Sequence, residues 1–100
     1  MDFTISAKAV QLYINEMGLR KGDHLTFFVR VGGIGSGGFS VGVRRGKPEL
    51  DYISMIQKDI IFCFLEEESW YFDGMTVDYD EDMGQMIFLN PKIENITNPN

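Results

Sequence analysis

The chain has little of several residue types, and each shortage excludes a class of protein. Its 100 residues contain one cysteine, Cys63, and one histidine, His24. A single thiol excludes an internal disulfide and any metal site that needs several cysteines from one chain. Neither residue is part of a Ser-His-Asp or Cys-His arrangement that the sequence supports. No nucleophile, base and orienting partner occur together, so we predict a protein that is not an enzyme.

Basic residues are also scarce, with 9 Lys and Arg against 15 Asp and Glu and a formal net charge of −6. Nucleic-acid binding needs clustered Lys and Arg. The one tight basic cluster, Arg44, Arg45 and Lys47, lies beside a Gly-Lys-Pro turn. We interpret this cluster as the solvated tip of a β-hairpin, because charge runs are usually solvated. The composition therefore predicts no nucleic-acid partner.

Long hydrophobic runs are absent as well. No apolar stretch approaches the ~18 residues that a membrane span requires, and the first residues lack the basic and apolar regions of a secretory leader. We therefore predict a cytoplasmic protein without membrane contact. Hydrophobic residues still make up 44% of the chain, which is ample for a folded core. We predict one domain over residues 1–91, followed by a flexible C-terminal tail over residues 92–100.

Hydrophobic periodicity predicts a mainly β (α+β) domain with one N-terminal helix and one short helical turn. The helix begins after Ser6 as its N-cap and ends at Gly18, a residue type typical of helix C-termini. Its apolar stripe consists of Val10, Tyr13, Ile14 and Met17. Alternating or continuous apolar patterns predict strands at residues 3–5, 25–31, 39–43, 52–56, 60–65, 76–79 and 85–89. Residues 66–69 interrupt the strand pattern and predict the short helical turn.

A glycine-rich loop joins the second and third predicted strands and is the first candidate site. Five glycines in seven positions favour close backbone approach or positive φ angles. The candidate residues are Gly35, Ser36, Gly37 and Gly38. The glycines also match the spacing of a dinucleotide fingerprint, but that fingerprint requires a helix directly after the loop, and here a strand follows. We therefore do not predict nucleotide binding.

An acidic segment is the second candidate site. Asp78, Asp80 and Asp82 have the spacing of the first three ligands of a calcium loop. Met83 stands where that loop needs glycine, and Leu89 where it needs the closing glutamate, so we reject the calcium hand. A loose divalent-metal site at Asp78 and Asp80 remains an alternative to a solvated acidic turn.

The remaining reactive side chain is the thiol of Cys63. It lies within the apolar run over residues 60–65. A free cysteine in such a run usually behaves as a small buried hydrophobe with a raised pKa, and we predict that state for Cys63.

Several segments together resemble the HesB/IscA-like family over nearly the whole chain. They are Ile5-Ser6-Ala7-Lys8-Ala9, the strand from Phe27 to Val31, Gly35-Ser36-Gly37-Gly38-Phe39-Ser40, and Tyr71-Phe72-Asp73-Gly74-Met75-Thr76-Val77-Asp78-Tyr79. The last segment is the most specific, and Ile87-Phe88-Leu89-Asn90-Pro91 follows it at the expected distance. The family consists of A-type iron-sulfur cluster assembly scaffolds or carriers. The resemblance implies a two-sheet β-sandwich or flattened barrel, a homodimer, and iron-sulfur assembly proteins as partners.

The family's functional residues are three cysteines, one in the glycine loop and two in the C-terminal tail, and this chain has none of them. Counting back from Phe39 places Ser36 at the loop position. Counting on from Asn90 and Pro91 places Thr97 and Pro99 at the tail positions. Hydroxyls substitute poorly for thiolates on iron-sulfur clusters. The resemblance therefore implies the fold, with iron or a cluster as the family cofactor, but without the usual ligands.

Two functions fit these observations. The first is an accessory or binding protein of iron-sulfur cluster biosynthesis that lacks the three cysteine ligands. The second is a small-molecule or divalent-metal binding module that reuses the HesB-like fold, since fold does not determine function. In that case the oxygen donors would come from Asp73, Asp78, Asp80 and the glycine loop.

Overall fold

Two β-sheets form the domain in the computed structural model, which describes residues 1–31 and 38–93. The strands are β1 (Phe3–Ile5), β2 (His24–Val31), β3 (Phe39–Arg45), β4 (Tyr52–Gln57), β5 (Ile60–Leu65), β6 (Met75–Asp80) and β7 (Gln85–Leu89). The helices are α1 (Ala7–Met17) and α2 (Ser69–Phe72), and a 3₁₀ turn at Glu66–Glu68 precedes α2. One sheet has the order β1-β6-β7 and the other the order β3-β2-β5-β4. The predicted mainly β, two-sheet fold with an N-terminal helix is confirmed.

Helix α1 has the caps that its sequence predicts. The Oγ of Ser6 accepts a hydrogen bond of 3.2 Å from the backbone N–H of Ala9. Gly18 ends the helix with φ of 61°, in the left-handed region. The side of the helix that contains Val10 packs into the core together with the partly buried Tyr13, Ile14 and Met17. Burial raises the pKa of Tyr13 to about 12.

The larger sheet is built around β2 and β5, which run parallel to each other. Strand β3 pairs antiparallel with β2, and β4 pairs antiparallel with β5. Lys58 and Asp59 join β4 to β5 with φ values of 51° and 64°; two such residues are typical of a two-residue hairpin turn of the primed type. The Phe27 ring lies at the centre of the core and makes edge contacts with the rings of Phe3, Tyr13, Phe62, Phe64 and Phe72.

Arg44, Arg45 and Lys47 are exposed, as predicted, but the prediction that they form the tip of a hairpin is wrong. Strands β3 and β4 lie at opposite edges of the larger sheet, so residues 46–51 cross from one edge to the other. The buried Pro48 lines a depression together with Arg44 of β3 and Leu65 of β5, which places the crossing on the outer face of the sheet. The hairpin of this region is instead β2–β3, closed by the glycine loop.

One basic side chain near this crossing, that of Arg45, also has structural partners. Arg45 Nη2 donates a hydrogen bond of 2.7 Å to the carbonyl of Gly18 and lies 3.6 Å from Asp23 Oδ2. These contacts tie the end of β3 to the turn after α1.

Ile93 falls within the predicted C-terminal tail, yet it is buried and packs in the core. Residues 91–93 are helical. Residues 94–100 lie outside the described part of the chain, and the division at residue 91 stays a prediction. No helix within the described ranges is long and apolar enough to cross a bilayer.

Candidate functional site at the glycine-loop end

The candidate site is framed by the two ends of the glycine loop. Val31 ends β2, and Gly38 with φ of 82° leads into β3 at Phe39. Val31 and Phe39 are paired in the β2–β3 ladder. Of the predicted loop residues, only Gly38 is described; Gly35, Ser36 and Gly37 lie outside the described residues, as do Thr97 and Pro99 of the tail.

Tyr71 connects the loop end to the chain segment that leads into the tail. Its ring lies 6.1 Å from the ring of Phe39 at a steep angle. Its carbonyl accepts a hydrogen bond of 2.8 Å from the side-chain amide of Asn90. The positions from which the glycine loop and the tail depart are therefore brought to one end of the molecule. Tyr71 itself is buried, and burial raises its pKa.

A glutamate of the 3₁₀ turn holds this end against the larger sheet. Glu68 Oε1 accepts a hydrogen bond of 2.9 Å from the backbone N–H of Val29. The parallel pairing of β2 with β5 ends at Phe27 and Phe64, so the N–H of Val29 has no strand partner on that side among the described residues. A partly buried N–H without a partner is unfavourable, and the carboxylate of Glu68 supplies one. This contact orients α2 beside β2.

Asn90 fixes the other side of α2. Its amide nitrogen donates to the carbonyls of Tyr71 at 2.8 Å and Asp73 at 3.0 Å. Its Oδ1 accepts from the backbone N–H of Lys92 at 3.2 Å. Asn90 is buried, and buried polar side chains are stable only when hydrogen-bonded. The side chain thus joins the end of β7 to α2 and to the residue that follows α2.

This arrangement leaves an exposed apolar surface. We call it the aromatic rim and define it as Val31, Phe39 and Trp70. Trp70 is 54% exposed and Val31 83% exposed. The ring of Trp70 lies 5.6 Å from that of Phe39 and 5.6 Å from that of Tyr71. Exposed aromatic residues held by rigid neighbours are typical of protein-binding surfaces.

The sequence predicted a short helical turn at residues 66–69, directly before Trp70, but not the exposure of Trp70 or the role of Glu68. The contact between Glu68 and Val29 joins residues 39 positions apart in the chain. No local pattern signals such a contact. The run of three glutamates at residues 66–68 does indicate a solvated turn. A solvated turn in turn favours exposure of the residues beside it.

The carboxylates of the predicted divalent-metal site are engaged in hydrogen bonds. Asp78 Oδ1 accepts from Ser6 Oγ at 2.6 Å and from the N–H of Tyr79 at 2.8 Å. Asp80 Oδ1 accepts from the backbone N–H groups of Asp82 and Met83. Among the described residues, no group of three or more His, Cys, Asp or Glu is placed to hold a metal ion. Metal binding at Asp78 and Asp80 stays a prediction.

Asp73, the other predicted oxygen donor, also has a structural role. Its Oδ1 accepts from the backbone N–H of Asp2 at 2.7 Å, and its Oδ2 lies 3.1 Å from Lys92 Nζ. The backbone hydrogen bond from Asp2, followed by the Lys92 contact, holds the pKa of Asp73 below its usual value. This carboxylate joins the start of the chain to the segment after β7.

The side chains that this chain could offer as ligands do not fit an iron-sulfur cluster. Cys63, the one thiol of the chain, is fully buried in β5. Burial raises its pKa, and the smaller effects of a hydrogen bond with Thr26 and the charge of Lys47 oppose that shift. A buried thiol with a raised pKa is a poor source of thiolate. The prediction of an inert buried cysteine agrees with this environment.

The chain is similar in sequence to a curated relative and in fold to a solved structure. No protein-family model matches the chain. The chain is 36% identical over 92 residues to the pyruvate dehydrogenase inhibitor of Bacillus subtilis (strain 168), covering 88% of this chain and 97% of that protein. It is similar in fold to the crystal structure of IscA with the [2Fe-2S] cluster, with a TM-score of 0.68 and 21% identity, covering 89% of this chain and 85% of that one.

Identity, coverage and fold agree with the resemblance seen in the sequence. The relative is matched over almost its full length, and the structural neighbour has the same two-sheet fold over most of the chain. With one cysteine, the chain cannot supply the three thiolates that the family uses. The chain belongs to the HesB/IscA-like family, as a member that lacks the cluster-ligating cysteines.

Proposed function

We propose that this protein binds a pyruvate dehydrogenase in the cytoplasm and lowers its activity, and that it catalyses no reaction itself. The observation that carries the proposal is the 36% identity to a pyruvate dehydrogenase inhibitor over 97% of that protein's length. Identity over a whole small domain supports a shared mode of action better than a shared fold does, because fold alone does not determine function.

The aromatic rim is the surface we assign to this binding. Trp70 is large, half exposed and held in place by the rings of Phe39 and Tyr71. Binding energy at protein interfaces is concentrated in a few such residues, and Trp is among the most enriched. Side chains that are already ordered before binding lose little entropy in the complex. A rigid, exposed tryptophan therefore supports a protein partner.

Acidic residues accompany the rim. Glu66 and Glu67 are exposed in the 3₁₀ turn directly before α2, and the whole chain has a net charge of −6. Charged groups around an apolar contact steer association and select partners more than they add affinity. We therefore expect the enzyme surface that meets the rim to be basic, and the association rate to fall as salt concentration rises.

Cluster carriage is not part of this proposal. Ser36, Thr97 and Pro99 stand at the family's cysteine positions, and Cys63 is buried. Soft thiolates are the ligands that iron-sulfur clusters require. Anaerobic reconstitution with iron and sulfide should leave the wild type and Cys63→Ser equally free of cluster absorbance. A cluster present in the wild type and lost in Cys63→Ser would contradict this exclusion.

The proposed function is tested by titrating the purified protein into a pyruvate dehydrogenase and measuring its pyruvate-dependent turnover. We expect inhibition that saturates, and Trp70→Ala to weaken it about tenfold or more, the equivalent of about 1.4 kcal/mol. Met83→Ala is the matched control, because Met83 is 67% exposed but lies in the turn after β6, while α2 precedes that strand.

Two results would count against the proposal. Turnover that is unchanged at ~50 μM protein, far above typical dissociation constants of specific complexes, would remove the inhibitory function. Equal inhibition by the wild type and Trp70→Ala would retain the function but move the binding surface away from the aromatic rim.

A further inference from the structure

Strand β4 is a free edge of the larger sheet within the described part of the chain. It pairs with β5 on one side only. The N–H of Glu66 donates to the carbonyl of Asp51 at 3.0 Å, so the odd-numbered residues of this segment direct their backbone groups toward β5. In an antiparallel ladder the alternate residues direct theirs away. The N–H and C=O groups of Tyr52, Ser54 and Ile56 therefore point to the open edge.

The strand itself has none of the features that usually protect an edge from pairing. Natural edges are kept apart by charged side chains, proline, bulges or short length. Strand β4 has six residues and contains no charged residue and no proline. Ile56 is 69% exposed. By contrast β3, at the other edge of the same sheet, ends in the exposed Arg44 and Arg45. The open edge of β4 is therefore the one that can accept a further strand.

A group of exposed carboxylates lies where β4 begins. We call it the acidic corner and define it as Glu49, Asp51, Glu66 and Glu67. These residues line two depressions that share part of their lining. None of the four is in an ion pair within residues 1–31 and 38–93. Lys47 lines one of the depressions, so the four carboxylates face a single ammonium group there and the corner keeps an excess of negative charge.

Apolar side chains adjoin the acidic corner. Leu50 is 61% exposed and lines both depressions, and the ring of Tyr52, 37% exposed, lines one of them. Arginine and lysine side chains bury their aliphatic stems against apolar surface while their charged heads stay among polar groups, and a cation near an aromatic ring is stabilised further. This end of the edge is thus complementary to a basic side chain of a partner.

We propose that β4 binds an extended segment of another protein, which adds an antiparallel strand to the larger sheet and places an arginine or lysine in the acidic corner. Strand addition at an exposed sheet edge is a recurring mode of peptide recognition, in which main-chain hydrogen bonds supply affinity and side chains supply specificity. Antiparallel pairing is the slightly more stable orientation, and it puts the C-terminal end of the segment beside Asp51. The inference goes beyond inhibition of pyruvate dehydrogenase and does not depend on it.

A short synthetic peptide is the probe for this edge. It is acetylated and fluorescently labelled, and consists of three threonine-valine repeats followed by an arginine amide. Antiparallel pairing puts its valines opposite Ile56, Ser54 and Tyr52, where β-branched partners stabilise a sheet, and its arginine opposite Asp51. Fluorescence anisotropy should show saturable binding with a Kd below ~100 μM. Replacing the arginine by citrulline, which has nearly the same shape but no charge, should weaken binding about threefold or more.

N-methylation of the peptide tests the pairing itself. In the proposed register the valine N–H groups point toward β4 and the threonine N–H groups point away from it. Methylation of the three valine nitrogens should therefore weaken binding at least about tenfold, because it removes the donors to the edge. Methylation of the three threonine nitrogens is the matched control and should change the affinity by less than about threefold.

A pair of protein variants tests the same edge from the other side. Ser54→Pro removes an N–H that points to the open edge, and proline is tolerated on edge strands at such positions. We expect it to bind the peptide at least about tenfold more weakly, whereas Ser54→Ala keeps the N–H and should bind as the wild type does. Both variants should keep the wild-type circular dichroism spectrum. If Ser54→Pro does not fold, the methylated peptides and the wild type decide the question alone.

Several outcomes would overturn the proposal. No peptide binding at ~500 μM protein would show that the edge does not accept a strand. Equal loss of affinity from the two methylated peptides would rule out edge pairing, and equal affinity for the citrulline and arginine peptides would rule out a basic partner. Sedimentation at twice the mass of 11.4 kDa for the wild type, but at the single mass for Ser54→Pro, would show that a second copy of the chain occupies the edge instead. None of these outcomes bears on inhibition of pyruvate dehydrogenase, which we assign to the aromatic rim.

Discussion

Ser6 donates its hydroxyl hydrogen to Asp78 Oδ1 over 2.6 Å, and the same Ser6 Oγ accepts the backbone N–H of Ala9 at the start of α1. One side chain therefore caps the helix and joins it to β6. The backbone N–H of Ser6 also donates to the carbonyl of Val77. The two residues together set the position of α1 on the smaller sheet.

Ser6→Ala should lower the free energy of unfolding by about 1 kcal/mol, because the first turn of α1 loses its side-chain cap. Urea unfolding followed by circular dichroism measures the change. Glu81→Gln is the control. Glu81 Oε1 lies 3.9 Å from Nζ of Lys8 in α1, in an exposed ion pair, and such pairs add little to the free energy of unfolding. A Ser6→Ala protein as stable as Glu81→Gln would show that the cap is dispensable.

The ionised form of Asp78 should make stability depend on pH. The hydrogen bond from Ser6, then that from the N–H of Tyr79, keeps the pKa of Asp78 below its usual value. An unfolded aspartate titrates near pH ~3.9, so the stabilisation is complete above that pH and is lost as the pH falls through the lower folded pKa.

Asp78→Asn should therefore be less stable than the wild type at pH 7, and the difference should shrink toward pH ~3. Urea unfolding of both proteins at several pH values provides the comparison. Asp82→Asn is the control and should cost less stability at pH 7 than Asp78→Asn, because no hydrogen bond to the Asp82 carboxylate is seen among the described residues. A stability difference for Asp78→Asn that is the same at pH 7 and pH ~3 would contradict the role given to its charge.

Gly42→Ala should destabilise the larger sheet. Gly42 lies opposite Phe28 in the β2–β3 ladder, and a Cβ at this position would overlap the Phe28 ring and lie 2.8 Å from Cγ of Arg30. Overpacking of this kind costs roughly 1–3 kcal/mol. Adding Phe28→Ala should recover part of the loss in a double-mutant cycle. Strictly additive effects of the two changes would show that the ring does not oppose the new methyl group.

Asn90→Ala should lower stability by roughly 1–3 kcal/mol, since the carbonyls of Tyr71 and Asp73 would lose a buried donor. It should also change the environment of Trp70, which adjoins Tyr71. Trp70 is the one tryptophan of the chain, so its fluorescence reports this end directly. Asn15→Ala, on the exposed surface of α1, is the control and should leave the fluorescence of Trp70 unchanged.

The elements that could be predicted are those whose signals are local. The cap of α1 at Ser6 and its end at Gly18 depend on residues a few positions apart. The run over residues 60–65 became the buried strand β5 because continuous apolar residues need cover on both faces. The turn at Lys58 and Asp59 likewise ends one strand and begins the next. In each case the interaction that decides the structure lies within the segment itself.

The crossing over residues 46–51 was missed for a different reason. A Gly-Lys-Pro turn between two strands fits a hairpin as well as a crossing. The choice depends on whether β4 pairs with β3 or with β5, and that is decided by how the apolar faces of all four strands pack. Cys63 illustrates the consequence: Thr26, which is paired with Cys63 in the sheet, donates its hydroxyl hydrogen to the carbonyl of Gly46 in this crossing.

For the candidate site the sequence was informative about residue types, and the tertiary structure about their assembly. The sequence alone shows one cysteine and an excess of acidic residues. The single cysteine excludes the three thiolates that the family uses as cluster ligands. The aromatic rim required the folded chain, because Glu68 reaches Val29 across 39 positions and Asn90 reaches Tyr71 across 19. Local propensity determines which segments become helix or strand, whereas contacts between distant residues, which decide what is exposed, depend on the packing of the whole domain.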